Sequence, residues 1–77
     1  MIIFTLMKIK DIGEFVAKRR KSLRVNQREL ASLCGVSEHA LCNLERGIGN
    51  PTLKLVFSVA TALGLELKLD VKDMEAT

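Results

Sequence analysis

Seventy-seven residues make one domain, near the lower limit at which a lone hydrophobic core holds a fold, so a partner subunit or covalent staples are expected. A composition of 48% hydrophobic and 27% charged residues, with one Pro and five Gly, excludes a wholly disordered or collagen-like chain. The net charge of +3 is unevenly placed: residues 1–64 carry ten basic groups against five acidic, the tail from Leu65 two against four, so one end favours phosphate and the other does not.

The chain opens on an apolar run, Met1 to Met7, that lacks the basic start and the length of a signal peptide. No run approaches a membrane span, which implies a soluble, cytoplasmic protein with no membrane partner. Residues 1–10 read either as a short strand, Ile2 to Ile9, or as an unstructured leader, since Met7 offers a second start. Asp11 then caps a first helix through Ile12, Phe15, Val16 and Leu23, where apolar positions recur at helical spacing. Lys18, Arg19, Arg20, Lys21, Arg24 and Arg28 put half of the twelve basic residues into one short stretch, residues 18–28. Such a run is either a phosphate-facing surface or simply a solvated helix face.

Asn26 caps a second helix of about two turns, with Glu29 as the reciprocal partner of a capping box, and Gly35 stops it after Cys34. Ser37 caps a third helix, Glu38 to Arg46, closed by Gly47. The loop Ile48-Gly49-Asn50-Pro51 leads into a fourth helix from about Thr52 to Leu63, with Gly64 as its stop. On that helix Leu53, Leu55, Val56, Phe57, Val59, Ala60, Ala62 and Leu63 cover an arc of roughly 220°, leaving Lys54, Ser58 and Thr61 on a polar edge. Either the helix is central to the monomer or its second face meets another subunit. In so short a chain the second reading is preferred, so a homodimer is expected.

The period then changes. Leu65, Leu67, Leu69 and Val71 alternate with Glu66, Lys68 and Asp70, the pattern of a half-buried strand over 65–72 followed by a tail, 73–77. A strand needs a neighbour for its backbone groups, and three are open to it: its symmetry mate, the N-terminal segment, or another protein.

Function is carried by the turn between the second and third helices. Gln27, Leu30, Ala31, Cys34, Gly35, Val36, Leu41 and Leu44 stand at the spacing of a helix-turn-helix. Ala31 must be small where the helices approach, and Gly35 supplies a left-handed turn. Leu30, Cys34, Val36, Leu41 and Leu44 fill the wedge. Three aromatics, all Phe, argue against single-strand binding by base stacking. Cys34 and Cys42 with one His are too few for a structural metal site or a disulfide framework, and both read as free thiols. No nucleophile or second titratable group is matched to His39, so no catalytic constellation exists and neither a cofactor nor a metal is expected.

Residues Ile12 to Leu65 resemble the Cro/repressor (Xre-type) helix-turn-helix family through Asn26-Gln27-Arg28-Glu29-Leu30-Ala31, Gly35-Val36-Ser37, Leu44-Glu45-Arg46-Gly47 and Asn50-Pro51-Thr52-Leu53. The closing Ala62-Leu63-Gly64-Leu65-Glu66-Leu67 is similar to HipB-type antitoxins. The resemblance implies a mostly α, lambda-repressor-like bundle of four helices over residues 11–64, with a C-terminal β-strand, that dimerises on a palindromic double-stranded DNA operator and represses transcription. It also implies that Glu38, His39, Ala40 and Asn43 face base edges and that Gln27, Ser37, Arg46 and Asn50 flank phosphates. Arg20 and Glu45 match a pair that bridges the first and third helices in the family; the alternative is two separate surface charges. The HipB likeness implies an antitoxin that holds a HipA-like kinase toxin. A free-standing phage or restriction-modification regulator is the alternative, and an interaction subunit without DNA binding is a third.

Overall fold

The computed structural model describes residues 2–3 and 8–68. Its elements in chain order are β1 (Ile2–Ile3), α1 (Ile9–Ser22), α2 (Gln27–Cys34), α3 (Glu38–Arg46), α4 (Leu53–Ala62) and β2 (Leu67–Lys68). The four helices form a helix-turn-helix bundle in which α2 and α3 make the motif, with α1 and α4 packed behind it.

Side chains at the helix starts satisfy amides that no helix can satisfy internally. Asn26 Oδ1 accepts from Glu29 N (2.8 Å) and Glu29 Oε1 accepts from Asn26 N (2.9 Å), a reciprocal capping box. Ser37 Oγ accepts from Ala40 N (3.0 Å) and Thr52 Oγ1 from Leu55 N (3.1 Å). The first helix departs from expectation. It begins three residues early, at Ile9, with Lys8 as its cap residue, and Asp11 sits one turn inside, accepting from Lys8 N (3.0 Å). A carboxylate there still meets the positive helix end, which is why Asp11 resembled a cap in sequence.

Gly35 (φ 70°) and Gly47 (φ 71°) end α2 and α3 in the left-handed conformation that a side chain opposes. At the end of α1 a non-glycine residue, Arg24 (φ 59°), takes the same conformation.

The core consists of Ile12 and Val16 from α1, Leu30 and Ala31 from α2, Leu41 and Leu44 from α3, and Val56, Val59, Ala60 and Leu63 from the fourth helix and its cap. Cys34 and Val36 are half-buried against it, completing the wedge. Phe15 and Leu23, expected on the inward side of α1, are exposed instead. The cause is Gly13. A Cβ at this position would lie 2.2 Å from Leu44 O and 2.7 Å from Glu45 O, so α1 meets α3 backbone to backbone. The face turned inward is therefore Ile12, Gly13, Val16 and Arg20, and Phe15 rotates outward.

Leu63 is the cap of α4 and Gly64 (φ 72°) follows it. Leu65 and Leu67 pack against the core while Glu66 is exposed, so the alternation is kept. β2 pairs in parallel with β1, Ile2 opposite Leu67 and Ile3 opposite Lys68, making the N-terminal segment its neighbour within the chain. Among the described residues the expected strand over 65–72 is confined to Leu67–Lys68; residues 69–72 and the tail lie outside them. No helix among the described residues is long and apolar enough to cross a membrane.

Candidate nucleic-acid interface

Two helix starts, of α2 and α3, share one surface of the bundle, and a network behind them fixes their relation. Arg20 Nε and Nη2 donate to Glu45 Oε2 (2.7 Å) and Oε1 (2.9 Å), a two-pronged bridge from α1 to α3. Arg20 Nη1 also donates to Val25 O (2.9 Å) in the turn before α2. Gln27 Nε2, in the first turn of α2, donates to Glu45 Oε1 (3.0 Å). One carboxylate thus ties three helices together. The side chains of Arg20 and Glu45 are 10% and 5% exposed, so water screens the pair little. The hydrogen bonds to Glu45 raise the Arg20 pKa above its ordinary value against the opposing effect of burial, and the guanidinium stays charged.

This network engages the side chain of Gln27 and leaves its backbone, at the start of α2, for the expected phosphate contact. Its amide side chain is held by Glu45, so the groups it offers outward are those of the α2 backbone start. Ser37 Oγ accepts from Ala40 N as a cap, which leaves its hydroxyl hydrogen to donate. Arg46 and Asn50 are exposed, and Asn50 lines a groove with Ala40 and Asn43.

On α3, Leu41 and Leu44 are fully sealed inward, which turns Glu38 and His39 to solvent and leaves Ala40 and Asn43 half-exposed. Asn43 Nδ2 donates to His39 Nε2 (3.3 Å), one turn apart on the same face; a ring accepting there carries its proton on Nδ1. Glu38 lies 3.7 Å from Arg28 Nε, an ion pair between the starts of α3 and α2. Beside this face a groove of about 380 Å³, lined by Ala40, Asn43, Ile48, Asn50 and Thr52, separates the helix from the α3–α4 loop. Amide, imidazole and carboxylate groups on a rigid helix can read base edges in a major groove, and the free N–H groups of two helix starts can donate to flanking phosphates.

Sequence reasoning missed three residues. Gly13 carried a signal, a glycine inside an otherwise regular helix, that went unread. Arg28 was one charge in a run, and its pairing with Glu38 depends on how the two helices meet. Arg19 Nε donates to Leu63 O (3.0 Å), tying the end of α1 to the cap of α4, a contact 44 residues away in sequence. Cys34 lies against Ser58 O, and burial pushes its thiol pKa up, the opposite of an activated thiol.

Comparison with known proteins places the chain among related sequences. Residues 16–69 match the helix-turn-helix family. An uncharacterised HTH-type transcriptional regulator of Sinorhizobium fredii is 36% identical over 56 residues, 73% of each chain. An uncharacterised HTH-type transcriptional regulator of Methanothermobacter thermautotrophicus is 39% identical over 51 residues, covering 66% of this chain and 74% of that one. Among solved structures, the restriction-modification controller protein C.AhdI from Aeromonas hydrophila is similar with a TM-score of 0.71 and 29% identity, covering 75% of this chain and 88% of that one.

Proposed function

The chain belongs to the Xre-type helix-turn-helix family of transcriptional regulators, and from that premise we propose that it is a dimeric, sequence-specific repressor that reads double-stranded DNA with α3. The observation that carries this reading is the division of α3: Leu41 and Leu44 are sealed against the core, while Glu38, His39 and Arg46 are exposed on the opposite side. Glu38 accepts from cytosine N4, Asn43 pairs with adenine, Ala40 touches a thymine methyl, and His39 supplies a further base contact. Arg46, Asn50, the hydroxyl of Ser37 and the backbone start at Gln27 set the register on phosphates.

Binding to a site selected from random duplex DNA, followed by fluorescence anisotropy, is expected to weaken on the order of a thousandfold between roughly 50 and 200 mM salt if about six phosphates are neutralised per dimer. A flat salt dependence removes the DNA reading.

Dimerisation is supported by the second face of α4. Leu53 and Phe57 are 60% and 42% exposed and, with Ile9, Pro51 and Leu67, line an apolar groove of about 300 Å³. An apolar face of this kind is what a repeated subunit covers. The double variant L53E/F57D is expected to sediment as a folded monomer and to lose at least about tenfold in affinity for a two-fold operator, because half of the contacts leave the complex. A variant that stays dimeric places the interface elsewhere.

Within this reading the role of a restriction-modification regulator has support from the similarity to C.AhdI. An antitoxin role is the alternative and rests on the segment Ala62–Leu67 alone. Its test is whether a neighbouring gene encodes a HipA-like kinase that co-purifies with the chain.

A further inference from the structure

Glu38 presents a difficulty for any role in a DNA groove, because a carboxylate there sits in the field of two phosphate strands. The structure supplies a counter-charge at that point. Arg28 Nε lies 3.7 Å from Glu38 Oε1, with the side chains 85% and 53% exposed. Such a pair contributes little to folding, since water screens it and two long side chains must be ordered. The residues bearing it are nonetheless well fixed. Arg28 is in the first turn of α2 and Glu38 opens α3, and these helices are locked by Leu30, Ala31, Leu41 and Leu44 and by the bonds from Arg20 and Gln27 to Glu45.

We propose that Arg28 is a specificity-determining positioning residue: it holds Glu38 toward the bases and neutralises it, so that the carboxylate can enter the groove and select cytosine. The inference rests on the reading of α3 as the recognition helix. When DNA excludes water from this surface the screening falls, and a pair that is weak in solution becomes strong in the complex. The guanidinium then acts through Glu38 on the base, and any contact it makes with a phosphate is additional.

The test uses the full chain with the best duplex selected by the wild type and its three single-base variants at the position Glu38 reads. The wild type is expected to discriminate by about tenfold, the range of one good base contact. R28Q is expected to reduce that discrimination to within about twofold, R28K to keep most of it, and R28Q to change nothing further in an E38Q background. Unchanged thermal melting of the variants verifies that the exposed substitutions leave the fold intact. If R28Q lowers affinity for all four duplexes by one factor, and does so equally with Glu38 or Gln at position 38, Arg28 is a phosphate contact and the proposal falls. If the wild type selects no sequence at all, the reading of α3 falls first and takes this inference with it.

Discussion

Replacing Gly13 with alanine is expected to destabilise the protein by about 3 kcal/mol, the upper range for forcing extra volume into a packed site, and to abolish DNA binding as the bundle loosens. The sign is the informative part. In an unconstrained helix interior the same change raises stability by about 0.5–1 kcal/mol, because glycine has more conformational freedom to lose on folding. Here the new methyl carbon meets the Leu44 and Glu45 carbonyl oxygens at 2.2 and 2.7 Å. Both are backbone atoms of α3, so no rotamer change relieves the contact, and α1 must move away. That movement stretches the Arg20–Glu45 bridge about two turns later. Urea denaturation monitored by circular dichroism measures the change, and a G13A variant as stable as the wild type or more so shows that the close approach is not required.

The second large effect is expected at Arg20. R20M removes the guanidinium and leaves the Glu45 carboxylate, 5% exposed, with the amide of Gln27 as its remaining side-chain partner. Breaking one side of a buried pair costs about 3–5 kcal/mol, mostly through the stranded charge. The bond to Val25 O is lost with it, which frees the turn into α2. The companion R20M/E45M is expected to recover about half or more of that loss, since apolar replacements of a buried pair are often near neutral. Chemical denaturation of the two variants gives the comparison. A single substitution costing less than about 1 kcal/mol would place the pair in the class of exposed bridges. The two predictions are coupled, because Gly13 and Arg20 lie on one face of α1 and meet the same end of α3.

Much of the bundle was legible because helix ends announce themselves locally. Asn26 with Glu29, Ser37, Gly35 and Gly47 each act within a few residues of their position, so α2 and α3 could be bounded from the chain. Asp11 misled for the same reason. An acid in the first turn and an acid at the cap both complement the helix end, and only the backbone conformation of Lys8 separates them. The candidate site was legible through the inward pair Leu41 and Leu44, which determines what α3 leaves outside. Its internal engagements were not. The hydrogen bonds of Gln27 to Glu45 and Asn43 to His39, and the ion pair of Arg28 with Glu38, depend on the crossing of α2 and α3 or on rotamers, neither of which is encoded by spacing.

The amino-acid sequence by itself determined where α2, α3 and α4 begin and end, the wedge that sets the motif, and the concentration of positive charge in the first half of the chain. These are consequences of capping, periodicity and composition, which act over a few residues. The tertiary structure alone decided the rotation of α1, the partners of Arg19, Arg20 and Arg28, and the pairing of Leu67–Lys68 with Ile2–Ile3. Each depends on segments distant in sequence arriving at one place, and the distances involved, backbone contact at Gly13 above all, are set by packing of the whole bundle.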